Sequence, residues 1–190
     1  RMAEMTQEEK LKAYKETYGT GRIITLDHRS QYGKGQSLVG KFRHLVHAHG
    51  VRVIFLDHIT LAVSEYGDGG GGLQQQDRMM ADFLAFTEQT GAHLALVSHI
   101  RKSPSGSASW AEGAVPTEDD LKGSGSLAQI TFDIIAVSRN KQADDDYERD
   151  VSSLHVLKCR REGKTGFADR LYWNSETRSL EQAMEPEQEG

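Results

Sequence analysis

Two stretches decide the fold: Val53-Ile54-Phe55-Leu56-Asp57-His58 and His93-Leu94-Ala95-Leu96-Val97-Ser98-His99. Each is an apolar run of strand length that stops on polar residues. An apolar run without alternation predicts a strand covered on both faces. Between them lie a Gly-rich loop at 67–72 and an amphipathic helical pattern over 74–90. Strand, helix, strand in that order predicts parallel pairing through a right-handed crossover. Ligands of such sheets bind beyond the carboxyl ends of the strands. Asp57, His58 and His99 stand there.

Working outward, residues 36–49 place Leu38, Phe42, Leu45 and Val46 at helical spacing, and residues 22–26 (RIITL) read as a short strand. Residues 5–17 read as a solvated helix that stops before Gly19 and Gly21. Downstream, 101–120 is a polar segment long enough to suggest function, and 132–137 (FDIIAV) reads as a third buried strand. Strands at 154–158 and 171–173, joined through 163–166, predict an antiparallel hairpin. The acidic stretch 182–190 reads as a disordered tail, so the domain is expected over 1–181.

The 190 residues suit one domain. Lys and Arg number 23 against 28 Asp and Glu, a net charge of −5, which excludes a nucleic-acid coat basic throughout. Any phosphate backbone must meet a local basic patch. The single Cys159 excludes an intramolecular disulfide and a cysteine cluster for zinc, and fits a reducing compartment. No apolar run reaches the roughly 18 residues of a membrane span, so no membrane partner is expected. The chain opens on Arg1 with a helical pattern directly behind it, so it reads as the back part of a longer protein.

An apolar strand ending in Asp57 has the shape of a Walker B element. There a rigid carboxylate orients the water shell of a Mg²⁺ on nucleotide phosphates; an isolated strand-tip Asp is equally a turn or helix cap. His99 at the next tip is placed to donate to a phosphate, or is a partly exposed loop residue. Lys122-Gly123-Ser124-Gly125 combines a cation with a backbone able to approach a phosphate closely, or is a plain Gly/Ser loop. Gln129 follows as a phosphate-sensing amide or a cap on the next strand. Lys158 and Arg160, two apart on a strand, project from one face. Two cations there suit a phosphate supplied by a neighbouring molecule, or protect a solvated edge. Gly163-Lys164-Thr165-Gly166 imitates a P-loop tail but has Cys159 where the first glycine belongs, and reads as a hairpin turn. Gly33-Lys34-Gly35-Gln36-Ser37 also lacks the full pattern.

In this order the motifs resemble the C-terminal half of the DnaB-like hexameric replicative helicases, closest to the helicase half of the primase–helicases of T-odd phages and the mitochondrial Twinkle type. The resemblance runs over about 22–181. It implies an α/β fold with a RecA-like P-loop NTPase core, a mostly parallel twisted sheet with helices on both faces, and a C-terminal antiparallel extension. It implies that Asp57 is the Walker B carboxylate (Mg²⁺ held through water), His99 the phosphate sensor, Gln129 the coupling glutamine, and Lys158 and Arg160 a finger pair acting in trans. Arg139 in SRN and Trp173 in LYWN match an Arg and an aromatic that sandwich the base, with Trp where the phage pattern has Tyr. DNA-binding loops fall at about 64–76, 101–112 and 122–126, with Arg101, Lys102, Lys122, Gly123, Ser124 and Gly125 as contacts. The middle loop carries fewer basic residues than the phage pattern.

By the same resemblance the implied cofactors are ATP or dTTP with Mg²⁺. The implied partners are single-stranded DNA, further copies of the chain in a hexameric ring, and primase and polymerase, in the cytoplasm of a bacterial host or phage-infected cell. The activity implied is 5′→3′ translocation and duplex unwinding. The family's Walker A loop and catalytic glutamate precede the region matched, so the chain alone is expected neither to bind ATP tightly nor to hydrolyse it. Two other readings are a RecA- or KaiC-type recombination or regulatory ATPase, and a degenerate RecA-like module that binds DNA without catalysis.

Overall fold

Helix α2 (Leu38–His49) starts where the Ser37 hydroxyl accepts the Gly40 N–H and stops where Gly50 adopts φ 67°. The structure, a computed structural model, describes residues 5–26, 37–59, 63, 72–103, 106, 108–123 and 125–184. Leu38, Val39 and Phe42 put one face of α2 into the core, with Val46 packed at its margin. Helix α3 (Gly72–Thr90) answers with Met79, Met80, Phe83 and Phe86. The Phe42 ring meets Phe83 and Phe86 at 5.9 Å each. Burying one such side chain contributes about 1.5–3 kcal/mol.

Strands β1 (Val53–Leu56) and β2 (His93–Leu96) pair in parallel, Val53 opposite His93 and Leu56 opposite Leu96, as expected. The ladder runs past both strand ends: Val97 N–H donates to the Leu56 carbonyl (2.9 Å) and Ile59 N–H to that of Val97 (3.0 Å).

A short helix, α4 (Gly125–Ile130), follows, and its Leu127 enters the same core. Then comes a four-stranded antiparallel sheet in the order β3 (Asp133–Arg139), β4 (Val151–Cys159), β5 (Gly166–Asn174), β6 (Ser179–Gln182). One helical turn, α5 (Asp146–Arg149), joins β3 to β4. The β4–β5 hairpin is as expected, with Gly163 at φ 69° in its turn. Cys159 is half-buried and free.

Residues 1–36 form a separate compact unit. Its helix α1 (Gln7–Glu16) buries nothing and begins with a reciprocal Thr6–Glu9 capping box. These hydrogen bonds from Thr6 hold the Glu9 carboxyl below its ordinary pKa.

Several expectations are corrected. The sheet is not mostly parallel: among the described residues, parallel pairing is confined to β1 and β2. The stretch FDIIAV pairs antiparallel with β4, and it alternates, with Ile134, Ala136 and Ser138 buried while Ile135 and Val137 face outward. β1 likewise buries Ile54 and exposes Phe55, so neither strand is covered on both faces. Residues 22–26 form no strand. Residue 182, placed in the tail, ends β6; 185–190 lie outside the described residues. No helix among the described residues is long and apolar enough to cross a membrane.

Candidate functional site

The parallel register brings Asp57 and His58 to the same end as His99. The rings of His58 and His99 lie 4.4 Å apart at 60°, and His58 Nδ1 is buried with no hydrogen-bond partner. The peptide between Asp57 and His58 is cis. The Asp57 carboxylate is exposed and takes no hydrogen bond or ion pair among the described residues. Nowhere among them do three His, Cys, Asp or Glu side chains converge as a metal cage. A lone free carboxylate at a strand tip fits a hydrated Mg²⁺ that draws its other ligands from phosphates and water.

The strand tip and the later 120–123 segment are stitched together. Lys122 N–H donates to the His99 carbonyl (2.9 Å), Arg101 N–H to the Asp120 carbonyl (2.7 Å), and Ile100 bridges Leu121. The Arg101 guanidinium reaches the Gly123 carbonyl at 3.3 Å, and Trp110 Nε1–H holds the Arg101 carbonyl at 2.8 Å. Two of the predicted DNA-contacting cations, Arg101 and Lys122, thus share one small region, and Lys102 is exposed nearby in sequence.

Gly123 is held at φ 138°, and a Cβ there would overlap the amide of Gln76, which is buried in α3. Thr117 caps the turn Glu118–Asp120 reciprocally. Its backbone N–H and hydroxyl hold the Asp120 carboxyl below the usual aspartate range, with Arg101 adding to the effect.

Ser124 lies outside the described residues, as do 64–71 of the first expected loop and 104, 105 and 107 of the second. Gly125 opens α4, so the segment read as a Gly/Ser loop ends there, and Gln129 is an exposed helical residue, not a strand cap.

Lys158 and Arg160 do reach the same place. Lys158 Nζ donates to the Ala128 carbonyl, and Arg160 donates to that of Gln129 at 2.7 Å. These are carbonyls at the C-terminal end of α4, where the helix presents partial negative charge. The Arg160 guanidinium also lies over Phe132, 4.8 Å from the ring centroid. Arg101 and Gln129 line one open cavity of about 890 Å³ together with Pro116, Leu121, His155 and Gly166.

Arg139 and Trp173 form a third group. Arg139 pairs with Ser152, which pairs with Leu171, two residues before Trp173, so both side chains occupy one sheet face. The Arg139 guanidinium is bound by the Asp150 carboxylate and the Arg149 carbonyl. Trp173 is 37% exposed.

Sequence reasoning missed Gln76, Phe132 and Asp150. The glycine at 123 was the only local signal for Gln76; neither Phe132 nor Asp150 carries a motif.

No protein-family model matches the chain. It is 32% identical over 168 residues to a DNA helicase/primase of Enterobacteria phage T3, a match covering 88% of this chain and 29% of that protein. A solved structure, described as a DnaB-like replicative helicase and its interactions with primase, shares the fold with a TM-score of 0.58 at 18% identity. That match covers 90% of this chain and 48% of the other. The chain therefore spans about a third of its curated relative and about half of that structure.

Proposed function

We propose that the chain, similar to a phage DNA helicase/primase and sharing the fold of a DnaB-like replicative helicase, forms part of the RecA-like motor of such a helicase. In that reading the full-length protein couples hydrolysis of ATP or dTTP, with Mg²⁺, to 5′→3′ movement on single-stranded DNA and to duplex unwinding. The observation that carries it is the hydrogen-bonded junction of the two parallel strand tips with the Arg101–Gly123 segment.

Asp57 would hold the Mg²⁺ through its water shell, and the ion would supply charge neutralisation on the phosphates when bound. The His99 ring, beside that of His58, would donate to the terminal phosphate. Arg101, Lys102 and Lys122 track the sugar–phosphate backbone without reading sequence. Lys158 and Arg160 act on a nucleotide held by the neighbouring subunit of a hexameric ring, and Arg139 and Trp173 hold the base. Primase and polymerase are the expected protein partners at a fork.

The test is unwinding of a forked duplex with a 5′ single-stranded tail by the full-length protein. Strand separation that needs hydrolysable nucleotide is expected; nucleotide turnover without strand separation overturns the helicase reading. The 190-residue chain by itself is expected to release no phosphate from ATP or dTTP. Robust turnover would refute the assignment of the phosphate cradle and water-activating carboxylate to an upstream region.

A further inference from the structure

We propose that Asp150 is the positioning residue of the base clamp, fixing Arg139 and Trp173 together; this rests on the reading of those two residues as the pair that holds the base.

Asp150 follows the helical turn α5 and immediately precedes β4, with its N–H on the Tyr147 carbonyl at 2.9 Å. Its two oxygen-bearing groups serve different strands. The carboxylate binds the Arg139 guanidinium from β3, while the backbone carbonyl accepts the Trp173 N–H from β5 at 2.9 Å. Arg139 Nε–H is taken by the carbonyl of Arg149, the residue before Asp150. The guanidinium is therefore held at its edges, and its side chain keeps 36% of its surface open. A planar cation held edge-on is what stacking on a base requires.

The turn that carries Asp150 is itself fastened to β5. Arg170 pairs with Glu148, and Tyr147 stacks on Tyr172 with centroids 4.5 Å apart and planes inclined by 16°. A shift of the turn therefore moves both halves of the clamp together.

The charge argues the same way. An Arg with no partner at a nucleotide site attracts phosphate as readily as it stacks on a base. With Asp150 beside it, Arg139 contributes a flat surface with its charge balanced, so the site favours the base over a bare polyphosphate.

The experiment compares Asp150→Ala, Asp150→Asn and Trp173→Ala in the full-length protein by steady-state hydrolysis, with inhibition by inorganic tripolyphosphate as a probe that has no base. Asp150→Ala is expected to raise the nucleotide KM about tenfold with kcat within about twofold, the pattern of lost binding with unchanged chemistry. Asp150→Asn, which keeps an oxygen for Arg139, should recover most of the loss. Tripolyphosphate inhibition should be no weaker for either variant. Weakened tripolyphosphate inhibition by Asp150→Ala would mean general damage and overturn the proposal, as would a KM unmoved by Asp150→Ala while Trp173→Ala raises it. A KM unmoved by Trp173→Ala would sink the base-clamp reading itself, and the role of Asp150 with it.

Discussion

The backbone N–H of Lys122 donates to the backbone carbonyl of His99 at 2.9 Å. The residue assigned to the phosphate and the residue assigned to DNA are thus joined by one hydrogen bond that involves neither side chain. A displacement of one strand tip is passed directly to the segment that carries Lys122, and side-chain substitutions at either position leave the link in place.

His99→Ala therefore separates two activities. In the full-length protein it should lower kcat for hydrolysis by roughly 10²–10³-fold, the scale of removing one donor from a developing charge. Single-stranded DNA binding should stay near that of the unchanged protein, since the Lys122 backbone keeps its anchor. Equal loss of both in hydrolysis and anisotropy assays would show that the ring supports the fold instead.

Gly123→Ala should destabilise the chain. Its φ of 138° disfavours any side chain, and the new methyl would overlap the Gln76 amide. Strain of this kind costs about 1–3 kcal/mol per residue, read as a lower urea midpoint. In a double-mutant cycle, Gln76→Ala should offset part of that loss, because the overlap disappears while the backbone strain remains. Strict additivity would remove Gln76 as the cause.

Lys122→Ala bears on the DNA assignment through salt. For single strands each neutralised phosphate contributes about 0.7 to the slope of log K against log salt. The variant should flatten that slope by about this amount and weaken all sequences alike. An unchanged slope would take Lys122 out of the DNA path.

Asp120 offers a pH readout. Its folded-state pKa is depressed, mainly by the Thr117 N–H and hydroxyl, so the cap's contribution is fully present above the ordinary aspartate pKa. It is lost as pH falls through the depressed value. Thr117→Ala removes the hydroxyl but keeps the residue-117 N–H, the larger of the two causes, so the Asp120 titration followed by NMR should move upward only part of the way toward the ordinary aspartate range. No movement would take the hydroxyl out of the cap and leave the backbone N–H as its working part.

Helical periodicity revealed α2 and α3 because both bury one continuous stripe, and the apolar runs at 53–56 and 93–96 revealed a parallel pair whose tips lie together. Pairing direction for 133–139 was not legible. Ile135 and Val137 make the run look covered on both faces, yet they face outward and only Ile134, Ala136 and Ser138 are buried. Helix α4 was hidden because six residues opening on Gly-Ser are too few to show a helical repeat, and what secures it is Leu127 entering the core. The partners of the candidate residues were hidden for a related reason. Gln76 beside Gly123, Phe132 under Arg160 and Asp150 beside Arg139 are products of tertiary pairing, and no local pattern announces them.

Phe132 supplies the last prediction. It is 54% exposed, so its ring is a poor candidate for core packing, and its clearest contact is the face it offers to the Arg160 guanidinium. Arg160→Ala in the full-length protein should reduce hydrolysis by about 10³–10⁵-fold, the range for an arginine finger, with nucleotide affinity retained. Phe132→Leu keeps an apolar side chain of similar reach but removes the π-face, which at an exposed site is worth about 0.5–1 kcal/mol. Arg160 would then be held only by the Gln129 carbonyl, so kcat should fall a few-fold, while Phe132→Tyr should restore it. Mixed rings distinguish positioning from folding. Subunits carrying Phe132→Leu but an intact Asp57 should regain hydrolysis at sites where an unchanged neighbour supplies Arg160. If mixing restores nothing although the mixed rings assemble, Phe132 does not act through the finger.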